Sequence, residues 1–286
     1  MPAKCLKVLL GPTGVGKTAL GIRWAKEWGC PILSCDSRQI YKEMRIGTAA
    51  PSLAEQEGVS HYFVGTHSIH HPYTAGRYEL EALALLDTLF QTHDRLLMVG
   101  GSGLYIDAVC KGMDDFPRAD LVLRAQLTER LQTEGLDALR FELKRLDPQS
   151  YYEIDIKNPQ RVVRALEVCL QTGRAFSSFK SGTHRKRPFE ICKTGVCMDK
   201  DKLYARIDAR VDRMMEEGLL EEAKTLLPYR KLPALLTVGY RELFDFLDGK
   251  HSLESAIALI KRNTRRYAKR QTSYWRRDSS IQWMEV

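Results

Sequence analysis

The sequence lacks the features of a membrane or disulfide-bonded protein. No run of roughly 18 apolar residues occurs, so no membrane span is expected. The first apolar stretch is too short for a signal peptide, and we predict a cytoplasmic protein. None of the spacings between the seven cysteines fits a C-x-x-C metal or redox pattern. We therefore expect seven reduced thiols, most of them in the core.

The chain also lacks internal repeats and low-complexity segments, and its charge is unevenly spread. Its 286 residues and 44% hydrophobic content suffice for one large domain or two small ones. Residues 1–115 carry 11 basic and 12 acidic side chains, whereas residues 116–286 carry 33 and 24. The surplus of positive charge in the second part indicates a polyanionic partner.

The order of elements in the first part predicts a parallel sheet. A strand at 7–10 is followed by a glycine-rich loop, a helix at 17–28 and a strand at 31–34, which is a βαβ unit. A possible third strand at 62–64 and a helix at 76–91 precede a continuous apolar strand at 96–99. That strand leads into a second glycine-rich turn, and ligands bind at such strand ends in open α/β sheets.

Helical patterns dominate from residue 117 onward. We predict helices at 120–133, 136–146 and 160–172, within a helical insertion domain at 117–183. A basic loop at 181–188 ends it, and a strand at 189–198 returns to the sheet. Further helices are predicted at 200–227 and 239–248, and a long one runs from about 253 to 276. The predicted fold is α/β: a P-loop NTPase-like parallel sheet flanked by helices, with residues 1–116 and 184–286 as its catalytic core.

The loop after the first strand fits the pattern G-x-x-x-x-G-K-[ST] in full. It comprises Gly11-Pro12-Thr13-Gly14-Val15-Gly16-Lys17-Thr18. Glycines allow positive φ, so that successive backbone N–H groups converge on one anion at a helix N-terminus. Lys17 adds a mobile positive charge, and the Thr18 hydroxyl is a candidate ligand for Mg²⁺. We predict that this loop binds a di- or triphosphate.

A P-loop ATPase usually has an apolar strand that ends in an Asp for Mg²⁺, and this chain does not. The strand at 96–99 ends in Gly100-Gly101, and a carboxylate occurs instead at Asp36, after the second strand. Asp36 begins the run Asp36-Ser37-Arg38-Gln39-Ile40-Tyr41. It is either a catalytic group beside the phosphate loop or a residue that caps a short helix.

The motifs together resemble the tRNA dimethylallyltransferase family (tRNA isopentenyltransferases) over nearly the whole chain. The matching pieces, in family order, are the loop 11–18, residues 36–41, 46–49, 100–105 and 158–167, then 203–207 with 210–212, 238–240 and 264–271. The resemblance implies transfer of a dimethylallyl group from dimethylallyl diphosphate to N6 of the adenosine next to the anticodon, in a tRNA anticodon stem-loop. The P-loop would then hold the diphosphate leaving group.

The resemblance also implies roles for single residues. Asp36 would accept the proton that N6 loses, because the amino group of adenine is a poor nucleophile. Ser102 stands where the family usually has threonine and keeps the hydroxyl. Arg206 would reach the diphosphate together with Lys17, and Mg²⁺ at Thr18 would neutralise charge on it. A solvent-exposed face and a plain turn are the alternatives for Arg206 and Ser102.

The target adenosine must leave its stack to reach the diphosphate, and three segments are predicted to contact the tRNA around it, together with Asp36 and Ser102. Ser37, Arg38 and Gln39 follow Asp36, and the family motif in the insertion contains Gln160, Arg161, Val162, Val163 and Arg164. For the two valines between the arginines, a place in the core is the alternative. The last helix has eight cations and no acid in residues 261–277, and its predicted RNA contacts are Arg265, Lys269 and Arg270. Phosphate contacts explain this run better than a merely solvated face does.

Two other function classes share parts of this pattern. A P-loop small-molecule or nucleotide kinase would share the loop and Asp36, but it leaves the basic last helix unexplained. A nucleotide-regulated RNA-binding protein would need switch loops and a Walker-B Asp, and the sequence contains neither. The oligomeric state is not encoded in any motif, and a monomer suits an enzyme that encloses a tRNA arm.

Overall fold

The computed structural model describes residues 4–180, 182 and 185–286, which form two compact units. One unit contains the chain up to Gly112 together with Lys186–Val286, and the other is Met113–Arg185. The predicted basic loop at 181–188 and the predicted insertion end at 183 lie partly outside the described residues, because positions 181, 183 and 184 are not among them.

A six-stranded sheet lies at the centre of the first unit, and all its strand pairs are parallel. In chain order the strands are β1 (Cys5–Leu10), β2 (Ile32–Cys35), β3 (His61–Tyr62), β4 (Arg95–Gly100), β5 (Glu190–Cys197) and β6 (Gln282–Glu285). Their order across the sheet is β3-β2-β4-β1-β5-β6. Leu6, Val8 and Leu9 of β1 are fully buried, as expected for a central parallel strand covered on both faces. The predicted α/β class with a parallel sheet is confirmed.

Helices cover the sheet and make up the second unit. Those of the first unit are α1 (Lys17–Trp28), α2 (Ala75–Leu89), α3 (Gly103–Lys111), α8 (Lys200–Glu216), α9 (Leu219–Leu226), α10 (Tyr240–Leu247) and α11 (Leu253–Trp275). Those of the second are α4 (Leu121–Thr133), α5 (Leu136–Leu146), α6 (Pro148–Glu153) and α7 (Pro159–Thr172). No helix within the described part of the chain has the length and apolar character needed to span a bilayer.

Two predicted elements differ from the structure for local reasons. The helix expected at 200–227 is broken into α8 and α9, because Gly218 has a left-handed φ of 101° that an α-helix cannot contain. The third strand has only two residues, since Phe63 has a φ of 63°. The helices α3 and α6 and the edge strand β6 were not predicted.

The second unit has its own apolar core. Leu127, Leu139, Leu143 and Leu166 are at most 1% exposed and pack with residues from α4, α5 and α7. Asp120, Asp147 and Asn158 cap the N-termini of α4, α6 and α7 by accepting hydrogen bonds from backbone N–H groups. These three helices therefore begin directly after their capping side chains.

Candidate active site

The sheet order brings three loops together at one edge. The P-loop follows β1, the segment 36–41 follows β2, and the second glycine turn follows β4, which lies between them. The backbone N–H of Ser102 donates to the carbonyl of Cys35 at 3.2 Å. A Cβ on Gly100 would lie 2.6 Å from the same carbonyl oxygen, so only glycine fits this close approach. Residues far apart in the chain therefore meet at the carboxyl ends of adjacent parallel strands.

The P-loop has the conformation that its glycines predict. Gly14 and Gly16 have left-handed φ values of 84° and 102°, and α1 begins at Lys17. The free N–H groups of the first turn of α1 therefore point toward an anion site. A cavity of about 300 Å³ lies in front of this loop, and we call it the phosphate cavity.

The phosphate cavity is strongly positive. Its lining includes one carboxylate, Asp36, and four cations: Lys17, Arg206, Arg210 and Arg213. The three arginines lie at i, i+4 and i+7 of α8 and so share a helix face. Arg206 lies over Gly16, with a guanidinium nitrogen 3.3 Å from the place of a Cβ there. This surplus of positive charge suits a diphosphate.

Arg210 and Arg213 were not predicted as site residues, although their spacing from Arg206 was a usable signal. Arg210 donates to the Thr13 hydroxyl at 3.2 Å and contacts the Thr48 carbonyl at 3.5 Å. Burial lowers the pKa of Arg210, and Asp36 partly offsets that effect. The arginine is thus held against the P-loop before any ligand binds.

The ammonium group of Lys17 loses its proton within the pH range of ordinary assays. Its ammonium donates to the Pro12 carbonyl at 2.7 Å. Burial, followed by the nearby positive charge of Arg210, lowers the pKa of Lys17 to about 8. A bound diphosphate would oppose both effects, because it favours the charged form.

We therefore expect kcat/KM for an allylic diphosphate to fall as pH rises through about 8. The free protein loses the Lys17 charge there, and kcat/KM reports the ionisation of the free protein. The measurement is a pH profile of kcat/KM for the wild type and for Lys17→Arg, whose guanidinium stays charged. A falling limb at the same pH in the arginine variant would show that another group titrates.

The predicted phosphate ligands Thr13, Val15 and Thr18 have different surroundings. The backbone N–H of Thr13 donates to Gln271 Oε1 at 2.9 Å, so only the hydroxyl of Thr13 remains for a ligand. The side chain of Val15 is fully buried, which leaves its backbone N–H as the group that can face an anion. Thr18 is exposed, and its hydroxyl lines the phosphate cavity.

Asp36 uses one carboxylate oxygen for local structure and leaves the other unbonded. Oδ1 accepts the backbone N–H groups of Arg38 at 2.8 Å and Gln39 at 3.2 Å. Oδ2 makes no hydrogen bond within the described residues. The two interpretations of Asp36 from sequence are therefore compatible: it caps the following turn and still presents a free oxygen to the cavity.

A second cavity of about 380 Å³ adjoins the phosphate cavity, and we call it the entry cavity. The two share the lining residues Thr13, Asp36, Thr48 and Arg210. The other walls come from α8, the segment 236–239 and α11, including Tyr267 and Arg270. Asp36 therefore stands where a polar, phosphate-sized space meets a larger, more apolar one.

The predicted residues around Asp36 differ in which cavity they line. Ser37 and Arg38 line the entry cavity, whereas Gln39 lines the phosphate cavity. Ser102 lines neither of them. Its hydroxyl accepts the Ser37 N–H at 2.9 Å and contacts the Ser37 hydroxyl at 3.2 Å. Ser102 thus holds the segment that follows Asp36.

Helix α11 exposes part of its predicted RNA-binding charge and pairs the rest. Arg262, Arg266, Lys269 and Arg270 are exposed, and among the described residues none of them has an ion pair. Arg265 instead forms an ion pair with Asp208 of α8 at 2.5 Å, and Lys261 pairs with Asp212. The prediction that Arg265 contacts RNA is not supported, because its charge is already balanced.

We expect Arg266→Ala and Lys269→Ala each to reduce the salt dependence of tRNA binding. Every phosphate contact adds about 0.7–0.9 to the slope of log affinity against log salt, so each loss should lower the slope by that amount. Lys26→Ala is the matched control, because Lys26 lies in the last turn of α1 and is paired with Glu57. Equal slopes for the wild type and both α11 variants would exclude this surface.

The family motif of the second unit is only partly available to RNA. Gln160 and Arg161 are exposed at the start of α7. Val162 and Val163 belong to the apolar core at 0% and 7% exposure, so the prediction that their side chains contact tRNA is wrong. Arg164 donates to the Pro117 carbonyl at 2.6 Å and pairs with the fully buried Glu167. Arg164 therefore serves the structure of this unit.

Comparison with known proteins identifies the family of this chain. A family model described as IPP transferase matches residues 39–278. The chain belongs to the IPP transferase family. Among curated members, tRNA dimethylallyltransferase 1 of Bacteroides fragilis is 49% identical over 283 residues, covering 99% of this chain and 94% of the relative. A tRNA dimethylallyltransferase of Cytophaga hutchinsonii is 49% identical over 280 residues, covering 98% and 92%.

Solved members of the IPP transferase family share the fold. The tRNA isopentenylpyrophosphate transferase of Bacillus halodurans is 35% identical, with a TM-score of 0.72 and coverage of 99% of this chain and 90% of the other. A eukaryotic dimethylallyltransferase acting on tRNA has a TM-score of 0.81 at 26% identity, covering 99% and 74%. The resemblance inferred from the motifs is confirmed.

Proposed function

We propose that this chain transfers a dimethylallyl group from dimethylallyl diphosphate to N6 of the adenosine immediately 3′ of the anticodon, in tRNAs that read codons beginning with U. The proposal includes a monomeric, cytoplasmic enzyme that uses Mg²⁺. The observation that carries it is the place of Asp36, which lines both the phosphate cavity and the entry cavity and has one carboxylate oxygen without a hydrogen bond among the described residues. The curated relatives named tRNA dimethylallyltransferase support it.

In this proposal each cavity binds one of the two substrates. The diphosphate occupies the phosphate cavity, and the adenosine leaves its stack and enters through the entry cavity. The bond between the allylic C1 and the diphosphate oxygen breaks while the bond between N6 and C1 forms. The N6 proton passes to Oδ2 of Asp36, and the diphosphate departs with the bonding electron pair.

The charge that develops on the leaving diphosphate is met by groups already in place. Lys17, Arg206, Arg210 and the N–H groups at the start of α1 surround the phosphate cavity. Such preorganised donors stabilise developing negative charge without rearrangement during the reaction. They explain why the chain can activate an allylic diphosphate without a Walker-B Asp.

The residues also fit a magnesium ion held mainly by the substrate. The exposed Thr18 hydroxyl and the carboxylate of Asp36 line the same cavity. Mg²⁺ commonly keeps several waters and binds through one or two protein oxygens plus substrate phosphates. When bound, it would supply further neutralisation of charge on the diphosphate.

One assay separates this function from its alternatives. The protein is incubated with Mg²⁺, labelled dimethylallyl diphosphate and a tRNA carrying three adenosines in the anticodon loop next to the modified position. We expect label in that tRNA, and none in the same tRNA with the target adenosine replaced by guanosine. Turnover of ATP without labelled tRNA would favour the kinase alternative and overturn the proposal.

A further inference from the structure

A single carboxylate outside both cavities accepts four hydrogen bonds. Oε2 of Glu222, on α9, accepts the backbone N–H groups of Arg45 at 2.9 Å and Ile46 at 2.8 Å. Oε1 accepts the N–H of Gly47 at 2.9 Å and the hydroxyl of Tyr240 at 2.6 Å. Three successive N–H groups that converge on one anion form a site that phosphates often occupy. Here the protein fills it with its own carboxylate.

The loop that Glu222 holds reaches the phosphate cavity directly. The carbonyls of Thr48 and Ala49 accept Nε2 of Gln39 at 3.1 and 3.0 Å. Both Gln39 and Thr48 line that cavity beside Asp36. Because two carbonyl groups face the amide nitrogen, the carbonyl oxygen of Gln39 is the end left for a ligand. Asp36 and Thr48 beside it line both cavities, so Gln39 lies near the boundary at which the adenosine meets the diphosphate, and an acceptor there suits the amino group of adenine.

The loop needs an external restraint to keep this conformation. Ala49 has a φ of 46°, which is unfavourable for a residue with a side chain. A Cβ on Gly47 would lie 2.6 Å from the ring of the fully buried Tyr240, so the loop is also pressed against that ring. Burial and the neighbouring Glu222 raise the pKa of Tyr240, which keeps its hydroxyl protonated and donating.

We propose that Glu222 is a positioning residue for the transfer reaction, which fixes the 45–49 loop and thereby orients the Gln39 amide toward the adenine amino group. The inference rests on the proposed function. Glu222 itself touches neither cavity, so it acts through the loop and through Gln39. It should therefore affect the rate of transfer more than the binding of either substrate.

The main test compares Glu222→Gln with Glu221→Gln. Glutamine keeps the shape but has one acceptor oxygen, so at least one of the four donors faces another donor. We expect kcat to fall about 10- to 100-fold, the scale of misplacing a positioning group, with Kd values for diphosphate and tRNA within about threefold of wild type. The side chain of Glu221 is exposed and bonds only to Lys224 within the described chain, so its variant should match wild type.

A double-mutant cycle with Gln39→Ala tests the route of the effect. If Glu222 acts through Gln39, Glu222→Gln should cause no further loss of kcat in the Gln39→Ala background. Multiplicative losses, or wild-type kcat in Glu222→Gln, would overturn the inference. Tyr240→Phe removes one of the four hydrogen bonds to Glu222 at nearly constant side-chain volume. If the Glu222→Gln protein does not fold, Tyr240→Phe replaces it in the same double-mutant cycle. Failure of the wild type to label tRNA would instead refute the proposed function.

Discussion

Asp36→Asn should reduce dimethylallyl transfer by about 10²–10⁴-fold, the range expected for loss of a positioned general base. Asparagine keeps an oxygen where Oδ1 accepts the N–H groups of Arg38 and Gln39, and it replaces the free Oδ2 by an amide nitrogen. The turn should therefore survive while the proton acceptor is lost. The measurement is single-turnover transfer of the labelled group, together with Kd values for diphosphate and tRNA.

Comparison with Asp36→Ala distinguishes the role of this carboxylate as a base from its role as the cap of the following turn. Alanine removes both the base and the cap, so transfer should again be abolished, but the thermal midpoint should fall as well. Diphosphate and tRNA should still bind to both variants nearly as they do to wild type, because the P-loop and α11 are unchanged. If Asp36→Asn retains transfer close to the wild-type rate, Asp36 is a capping residue only.

The phosphate site could be predicted from sequence because the residues that form its loop are consecutive in the chain. Eight consecutive residues specify the turn, the helix start and the charge at Lys17. The positive φ values of Gly14 and Gly16 agree with that pattern. The place of Asp36 followed from a second rule, that carboxyl ends of parallel strands meet, which needs only the order of elements.

Contacts made across long sequence separations could not be predicted in the same way. The cation run on α11 has no acid of its own, yet Asp208 on α8, 57 residues before Arg265, neutralises that side chain. Val162 lies between two arginines in a motif that the resemblance assigns to tRNA contact, and the packing of α7 on α4 and α5 decides for the core alternative. A motif records which residues occur together, whereas burial decides which of them can reach a ligand.

The second large effect is expected at Gln271, a buried residue of α11 that ends the family motif 264–271 but was not predicted as a site residue. Its Oε1 accepts the N–H of Thr13 in the P-loop, and its Nε2 donates to the Gly101 carbonyl at 2.8 Å. One amide therefore ties the phosphate loop to the second glycine turn. It does so from the helix that also presents Lys269 and Arg270 to solvent.

Gln271→Ala should raise the Kd for dimethylallyl diphosphate about 10- to 100-fold. An unpaired buried donor or acceptor costs about 1–3 kcal/mol, and about 1.4 kcal/mol corresponds to a factor of ten. The affinity for tRNA should change little, because the exposed cations of α11 remain. Calorimetric titration with a non-reactive diphosphate analogue measures the effect.

Ser273→Ala is the matched control, since Ser273 is exposed two residues further along the same helix. Gly101→Ala tests the same contact between Gln271 and the second glycine turn by changing the turn. A Cβ there would lie 2.4 Å from Nε2 of Gln271 and 3.1 Å from the Gly11 carbonyl oxygen, so it must displace one of the two loops. Both Gln271→Ala and Gly101→Ala should weaken diphosphate binding while the control does not. Wild-type affinity in Gln271→Ala would mean that the P-loop holds its conformation without α11.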